Sequence, residues 1–412
     1  MRSLAHIRPT AASWSIAVVA CALAVSGCGS SSGSTASAAP STRTAVRTVT
    51  LWVDLPLAGA AAADGRQMLD AVRLIVAQAG YHVGAVDVRV RASDDADPTT
   101  GHSDPTRCLA GAARAAADPT SVAVIGTYES SCTALVLPTL TAARLALVSP
   151  VNSDPSLGTA ADGGPRVLVR LAPSDAVQGE AAAAEAAALG AHRLFILSGR
   201  SVRARLMQRA LVASVPSDKI VIAGVAPTPR TVKGTAAVLA RLRVTRADAV
   251  WFGSSSGPGV VAILRTLAPP AVRHAARQLT LIGSDALYRY GLLRAAGPSA
   301  EGLRVTSGFV PPEALGGAGA DFTDAFARQF GEPGLYTAYA ADAARLVLAA
   351  LHRSPGTRAG VLRALFRTRA YQGLIGTLAI TRGGTSSLAR IAVFRVHTGN
   401  FQLERVLDFP HS

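Results

Sequence analysis

Apolar runs rich in β-branched residues recur along the chain at Thr48–Leu55, Val86–Val90, Ser121–Ile125, Leu145–Ser149, Arg193–Leu197, Lys219–Val225, Ala249–Phe252 and Leu279–Ile282. Between them lie Ala- and Leu-rich stretches of helical spacing, at Arg66–Ala79, Pro105–Ala117, Ser130–Ala143, Ala176–Leu189, Arg203–Ala213, Val232–Leu242 and Gly259–Leu267. Strand then helix, repeated, predicts an α/β protein with parallel sheets covered by helices on both faces. Val122-Ala123-Val124-Ile125 shows no polar alternation, as expected of a strand buried on both sides. Towards the C-terminus the rhythm changes. A strand-like run, Gly302–Val310, leads to helices at Asp321–Phe330, Tyr336–Leu351 and Gly360–Phe366. Two last strands, Gly376–Ile380 and Ala389–Val396, flank Arg382-Gly383-Gly384. So short a connection predicts that they pair antiparallel. No repeat of solenoid period is present.

The first 47 residues depart from this pattern. Arg2 and Arg8 precede an apolar stretch from Ser13 to Val25 that is too short for a comfortable membrane span. That layout predicts a secretory signal over residues 1–27. Val25-Ser26-Gly27-Cys28 resembles the bacterial lipobox, which implies cleavage before Cys28 and a lipid on its sulfur. Such a lipid holds a protein on a membrane without spanning it. Residues 28–47, rich in Ser, Ala, Thr and Gly, read as a flexible tether. The folded part, from about 48 to 410, is long enough for two domains. Of the four cysteines, Cys21 leaves with the signal and Cys28 takes the lipid. Cys108 and Cys132 remain, an even pair in an oxidising compartment, and predict a disulfide; two unrelated buried thiols are the alternative.

Charge changes the picture little. The net charge is +15, but of 41 basic residues only Lys219 and Lys233 are lysines. The arginines are spread among alanines and form no basic cluster interleaved with aromatics, so no nucleic-acid partner is expected. The eight histidines are scattered, with no metal-ligand spacing to one another or to Cys108 and Cys132. No Gly-rich phosphate loop with a following Lys-Ser/Thr occurs. Neither a metal nor another cofactor is expected.

Several segments, taken in order, carry a resemblance. They are Leu55-Pro56-Leu57-Ala58-Gly59 with Asp64-Gly65, Asp94-Asp95-Ala96-Asp97-Pro98, and Ala123-Val124-Ile125-Gly126 with Ser130-Ser131. They continue with Ser149-Pro150 through Ser153-Asp154-Pro155, Arg170-Leu171-Ala172-Pro173-Ser174-Asp175 with Gln178-Gly179, Ile282-Gly283-Ser284-Asp285, and Tyr339-Ala340-Ala341-Asp342-Ala343. Together they resemble the branched-chain amino acid binding proteins, which are type I periplasmic binding proteins feeding ABC importers. The likeness covers nearly the whole chain after residue 48. It implies two Rossmann-like lobes with parallel central sheets, joined by three crossover strands near Leu171, Arg304 and Gly373. Lobe 1 would be 48–171 plus 304–373, and lobe 2 would be 172–303 plus 374–410. It further implies a small-molecule ligand (an amino acid or an analogue), an ABC permease as partner, and an extracytoplasmic location.

A free amino acid has a carboxylate, an ammonium and a side chain. The carboxylate needs donors, best as backbone N–H groups at a helix start together with hydroxyls. The resemblance assigns it Ser130, Ser131 and Ser153; a plain helix N-cap is the other role for Ser130. The ammonium needs an acid. The resemblance gives Asp285, which follows an apolar strand and so belongs at a sheet's carboxyl end; a cap on the next helix is its other role. Tyr128, Tyr288 and Tyr336 are candidate pocket walls. The sequence departs from the family at Ser198–Ala204, where an acid and Tyr-Gly are usual, and at Gly253–Gly257, where aromatics are usual. Ser255 therefore joins the candidate ligand contacts. Asp64 stands where the family has an aromatic, and helix capping is its expected task. These departures favour a more polar or anionic ligand, with Arg200 or Arg203 as its partner.

One competing reading is enzymatic. Gly253-Ser254-Ser255-Ser256-Gly257 between strand and helix matches a hydrolase nucleophile elbow, with Asp285 and then His352 or His397 completing the order Ser, Asp, His. Against it, no second motif supplies an oxyanion hole. A ligand sensor without a transporter would use the same two-lobed closure.

Overall fold

Nine residues of uninterrupted extended chain, β1 (Arg47–Leu55), open the fold, and seven of them are buried. In the computed structural model the residues described are 47–157, 166–229, 231–253, 256–267 and 279–410. The expected signal segment, Cys28 and the tether up to residue 46 lie outside them, as does Ser255, while Arg47, the last residue of the expected tether, already opens β1. Each apolar run finds its neighbour in one of two sheets. β1, β2 (His82–Val83), β3 (Val86–Asp94), β4 (Ser121–Gly126), β5 (Ala146–Ser149) and β6 (Leu168–Arg170) form a six-stranded sheet in the order β2-β3-β1-β4-β5-β6. All its pairs are parallel except the short β2–β3 contact.

The second sheet holds seven strands in the order β15-β14-β11-β10-β9-β7-β8. These are β7 (Arg193–Ser198), β8 (Val221–Pro227), β9 (Ala249–Gly253), β10 (Thr280–Gly283), β11 (Arg304–Ser307), β14 (Leu388–His397) and β15 (Asn400–Pro410). It is parallel from β8 to β11, and β14 and β15 add antiparallel. β12 (Tyr371–Gln372) and β13 (Thr377–Leu378) make a small ribbon of their own.

Helices fill both faces, as continuous apolar strands demand. α1 (Ala62–Gln78), α2 (Pro105–Ala117) and α3 (Ser130–Ala142) belong with the first sheet, and α4 (Asp175–Ala188), α5 (Val202–Ser214), α6 (Thr235–Thr245), α7 (Pro258–Leu267) and α8 (Tyr290–Ala296) with the second. α9 (Ala318–Phe330), α10 (Thr337–His352) and α11 (Arg358–Phe366) return to the core of the first. Among the described residues no helix is long and apolar enough to cross a membrane.

Three features differ from expectation. First, Gly376–Ile380 does not form the closing hairpin. Thr377 and Leu378 pair with Gln372 and Tyr371, and the closing antiparallel pair is β14–β15, turning at Thr398-Gly399 with φ of 50° and 76°. Two successive positive φ values suit a tight hairpin between twisted strands. Second, Arg304–Ser307 is not a crossover, because β11 completes the ladder between β10 and β14. The chain crosses after it, and Phe309 and Val310 lie in the first core. Third, Leu374–Ile380 stays with the first lobe and the chain crosses only beyond Ile380. The buried Asp342 on α10 holds that segment, accepting the N–H groups of Leu374 at 2.8 Å and Ile375 at 2.9 Å. Burial pushes the Asp342 carboxyl up to about 6 against the pull of those two donors.

Cys108 on α2 and Cys132 on α3 form a disulfide, with Cα atoms 5.7 Å apart. It ties together the two helices that follow the loops of the first sheet.

Candidate functional site

Both sheets end their parallel strands towards loops that carry the candidate residues, as open α/β sheets do. On the first lobe, β4 ends at Gly126, whose φ of +135° and whose would-be Cβ, 2.1 Å from the Asp54 carbonyl oxygen, admit no side chain. Tyr128 follows, then Glu129 as N-cap of α3 and Ser130 as its first helical residue. Glu129, not Ser130, holds the N-cap position and makes no side-chain cap hydrogen bond, so no cap side chain occupies the helix's leading N–H donors. The Glu129 carboxylate turns aside instead. It accepts from Ser103 Oγ at 2.7 Å and meets His102 Nδ1 at 2.8 Å. Burial pushes its pKa up, but these contacts outweigh burial and hold it below the usual range. Ser131 is drawn the same way, 3.3 Å from Glu129 and 3.1 Å from Ser103.

The loop after β5 is pinned beside this one. Buried Asn152 donates from Nδ2 to the Thr127 carbonyl at 2.7 Å and to Ser149 Oγ at 2.7 Å. Ser153 follows, and its carbonyl accepts the N–H of Asp175 at 2.8 Å across the first crossover. Ser130 and Ser153 thus lie on adjacent loops, Ser153 touching the first residue of α4.

Asp285 is not the isolated acid that the sequence suggests. It opens a 3-10 turn, Asp285–Leu287, after β10, with Ser284 as N-cap. Arg203 Nη2 donates to both its oxygens, at 2.9 and 2.8 Å. The same guanidinium donates from Nε to Asp175 Oδ1 at 2.8 Å, and Nη2 lies 3.3 Å from Gln178 Oε1. Arg203 is expected from the sequence as a partner for an anionic ligand; it is already engaged by two acids. Arg200, the other candidate, is exposed and lines a groove with Pro227, Thr228 and Arg241.

Electrostatics follow from this arrangement. Asp175 has a fully buried side chain. Burial raises its pKa, Arg203 pulls it back and Asp285 pushes it up again. Its Oδ2 is buried with no hydrogen-bond partner of good geometry among the described residues, although the Ser153 hydroxyl acts on the carboxylate and lowers its pKa. Arg203 is driven further above its ordinary value, since its two acids outweigh its own burial. Sequence reading missed this trio. Its signal was present, because Ser174-Asp175 caps and charges the start of α4, but nothing local says which cation faces it.

Aromatic residues wall the first-lobe side. Tyr128 packs edge-on to Tyr336 at 5.6 Å, and Phe309 packs edge-on to Tyr336 at 4.5 Å. The Tyr128 hydroxyl donates to Asp64 Oδ2 at 3.0 Å. Asp64 is not a helix cap: it is the third residue of α1, whose N-cap is Ala61 with no side-chain cap. Burial raises the Asp64 pKa, while the Tyr128 hydroxyl and Arg289 of the second lobe lower it. Tyr336 is pushed up to about 12, by burial first and then by Asp285 and Asp64. Groups from both lobes therefore act on one another here. Tyr288, on the second lobe, stacks on Phe401 at 4.3 Å and tilts against Phe394 at 4.6 Å, and Tyr336 of the first lobe is among the groups that act on its hydroxyl.

The hydrolase constellation is not assembled. His352 ends α10 in the first lobe. His397 pairs with Glu301 at 2.9 Å, at the far end of β14. In the antiparallel register Arg304 faces Arg395 and Ser307 faces Ala392, so His397 lies at the opposite sheet end from Asp285. Asp95, Cys108 and Cys132 bring three possible metal-ligand atoms together, but the two sulfurs are joined in the disulfide.

A family model described as "Periplasmic binding protein" matches residues 48–400. No curated protein sequence matches the chain. Among solved structures, a leucine-binding protein of Thermotoga maritima superposes with a TM-score of 0.70 at 21% identity, over 87% of this chain and 98% of that one. A branched-chain amino acid substrate-binding protein of Streptococcus pneumoniae, in complex with isoleucine, gives 0.69 at 17% identity over 89% and 100%. A solute-binding protein of Rhodopseudomonas palustris, in complex with p-hydroxybenzoic acid, gives 0.71 at 16% identity over 88% and 97%. These likenesses concern the fold.

Proposed function

The chain belongs to the periplasmic binding protein family, and on that premise we propose that it is the ligand-capturing component of an ABC importer, taking an amino acid or a similar small polar solute between its lobes. Membership makes it a solute-binding protein and not an enzyme. The observation that carries the ligand reading is the meeting of charge and aromatic groups from both lobes. The charge of Asp285 on the second lobe raises Tyr336 on the first, and Arg289 lowers Asp64. A solute touching both sides is worth more to the closed state, and so shifts the population towards it. In this reading the leading N–H groups of α3, with Ser130 and Ser153, hold a carboxylate. The Asp175–Arg203–Asp285 trio holds an ammonium. Cys28 carries the lipid that keeps the protein at the outer face of the cell membrane.

A thermal-shift screen of amino acids, amides and aromatic acids tests the reading, since a solute that binds only the folded state raises its melting point. At least one amino acid should shift it, and Asp285→Ala should remove that shift. A full panel without effect would defeat the proposal. Mass spectrometry of the protein from membranes should find acyl chains on Cys28. Co-purification with a permease separates import from sensing.

A further inference from the structure

A groove of about 860 Å³ opens on the second lobe, at the carboxyl ends of the paired strands β7 and β8. Arg200 and Ser201 line it from the loop before α5, Pro227 and Thr228 from the end of β8 and the loop after it, and Arg241 from α6. No carboxylate is among its lining residues. The groove adjoins the candidate site, because Ser201 is the N-cap of α5 and Arg203, which holds Asp175 and Asp285, lies in the first turn of that helix. Cavities of roughly this size hold whole small molecules in other proteins.

Its two arginines are held in place but not neutralised. Arg241 donates from Nη2 to the Val225 carbonyl at 2.9 Å and lies over the Phe195 ring at 5.6 Å. Arg200 is fixed through its backbone, its carbonyl accepting from Arg205 Nη1 at 2.6 Å, and its guanidinium meets no acid among the described residues. Thr228 adds an independent mark. Its N–H donates to the Ser198 carbonyl at 2.9 Å, which sets the loop, yet its Oγ1 is buried with no hydrogen-bond partner among the described residues. Buried hydroxyls are nearly always paired, so this wall holds a polar group still to be satisfied. Two guanidiniums, a hydroxyl and no acid suit an anion, and guanidiniums take carboxylate and phosphate oxygens two at a time. Arg203 is spent on its own acids, so an anionic group of the solute falls to Arg200.

We propose that this groove is an anion subsite, and that the solute is an amino acid whose side chain ends in a carboxylate or a phosphate. This rests on the amino-acid reading above and narrows it. The α-carboxylate and α-ammonium keep the places given there, and the side-chain anion goes to Arg200, with Arg241 beside it.

Calorimetry on the purified protein tests this by comparing L-glutamate with L-glutamine and O-phospho-L-serine with L-serine. At least one of the two acids should bind about tenfold or more tighter than its neutral counterpart, the lower end of what a hydrogen bond to a charged group is worth, since Arg200 is exposed. The pair that shows the difference separates a carboxylate from a phosphate. Arg200→Gln should erase that preference while changing the neutral ligand's affinity by less than about threefold. Arg241→Gln should reduce the preference by a smaller factor, since part of its guanidinium serves Val225. The comparison of acid with neutral ligand needs no variant and stands even if Arg200→Gln folds poorly. Equal affinity within both pairs, or a preference that survives Arg200→Gln, would overturn the anion subsite and leave the binding-protein reading intact. No binding by any of the four would overturn it as well, and the amino-acid reading would fall with it only if the thermal-shift panel were also silent.

Discussion

Arg203 Nη2 sits between the two carboxylate oxygens of Asp285, at 2.9 and 2.8 Å, while its Nε holds Asp175 at 2.8 Å. One guanidinium from the start of α5 thus orients two acids from two other elements, α4 and the turn after β10. The planar fork of arginine does this; a lysine, a point charge on a flexible stem, cannot hold both in fixed geometry.

Replacing that residue is the sharpest test of the trio. Arg203→Met leaves Asp175, with its fully buried side chain, without its cation. Removing one partner of a buried pair costs about 3 kcal/mol or more, and the lower end applies because the Arg203 side chain is 33% exposed. Urea unfolding should show this loss, and adding Asp175→Asn should recover part of it. Equal stability of Arg203→Met and the parent protein would mean that the trio holds nothing together.

A second expectation concerns the disulfide. Cys108 and Cys132 are 24 residues apart, and closing a loop of that size is worth about 3.5 kcal/mol in the chain-entropy account. Cys108→Ser with Cys132→Ser should lower the melting point, and added reductant should lower that of the parent protein towards the same value. A melting point indifferent to reductant would contradict this.

Protonation of Asp95 gives a pH dependence with a definite sign. Burial first, then repulsion from Asp54, Asp94 and Glu129, pushes its carboxyl up to about 8, although the Tyr128 N–H pulls the other way. The unfolded chain releases that proton at the ordinary value, 3.8. The folded state therefore binds the extra proton, and its advantage shrinks as pH rises between those values. Asp54, pushed up to about 6 chiefly by burial, acts in the same direction. Asp95→Asn should flatten the fall in urea-unfolding stability between about pH 6 and pH 9 by more than about 1 kcal/mol. Parallel losses in variant and parent would exclude Asp95 as the group.

Gly65 seats the helix that presents Asp64. A Cβ there would lie 1.8 Å from the Pro56 carbonyl oxygen. Gly65→Ala should therefore push α1 off the loop after β1, costing about 1–3 kcal/mol as overpacking does. The affinity for the solute that the thermal-shift screen identifies should fall with it. Unchanged melting and unchanged affinity would show that α1 is not held by this contact.

Much of the architecture was readable in the residues. Val122–Ile125 has no polar alternation, and β4 is buried throughout. The hairpin at the end was readable too, because Phe401, Leu403, Leu407 and Phe409 are spaced at even intervals along β15 and Thr398-Gly399 marks the turn. The Arg382-Gly383-Gly384 segment drew attention away from it. Glycines mark a turn but do not say which strands it joins. Gly384 instead approaches the first sheet, where a Cβ would lie 2.1 Å from the Leu168 carbonyl oxygen.

Local pattern alone determined the alternation of strand and helix and the parallel sheets, while the pairing of Cys108 with Cys132 was expected from the number of cysteines against the alternative of two separate thiols. The first two depend on periodicity and on turn chemistry. The partner of Asp285 was decided only when α4, α5 and the turn after β10 packed together, since Asp175, Arg203 and Asp285 are separated by 28 and 82 residues. Asp64 likewise met Tyr128 from 64 residues away. A charge shows in the sequence as a charge, but its partner is set by distance in space, which no local spacing encodes.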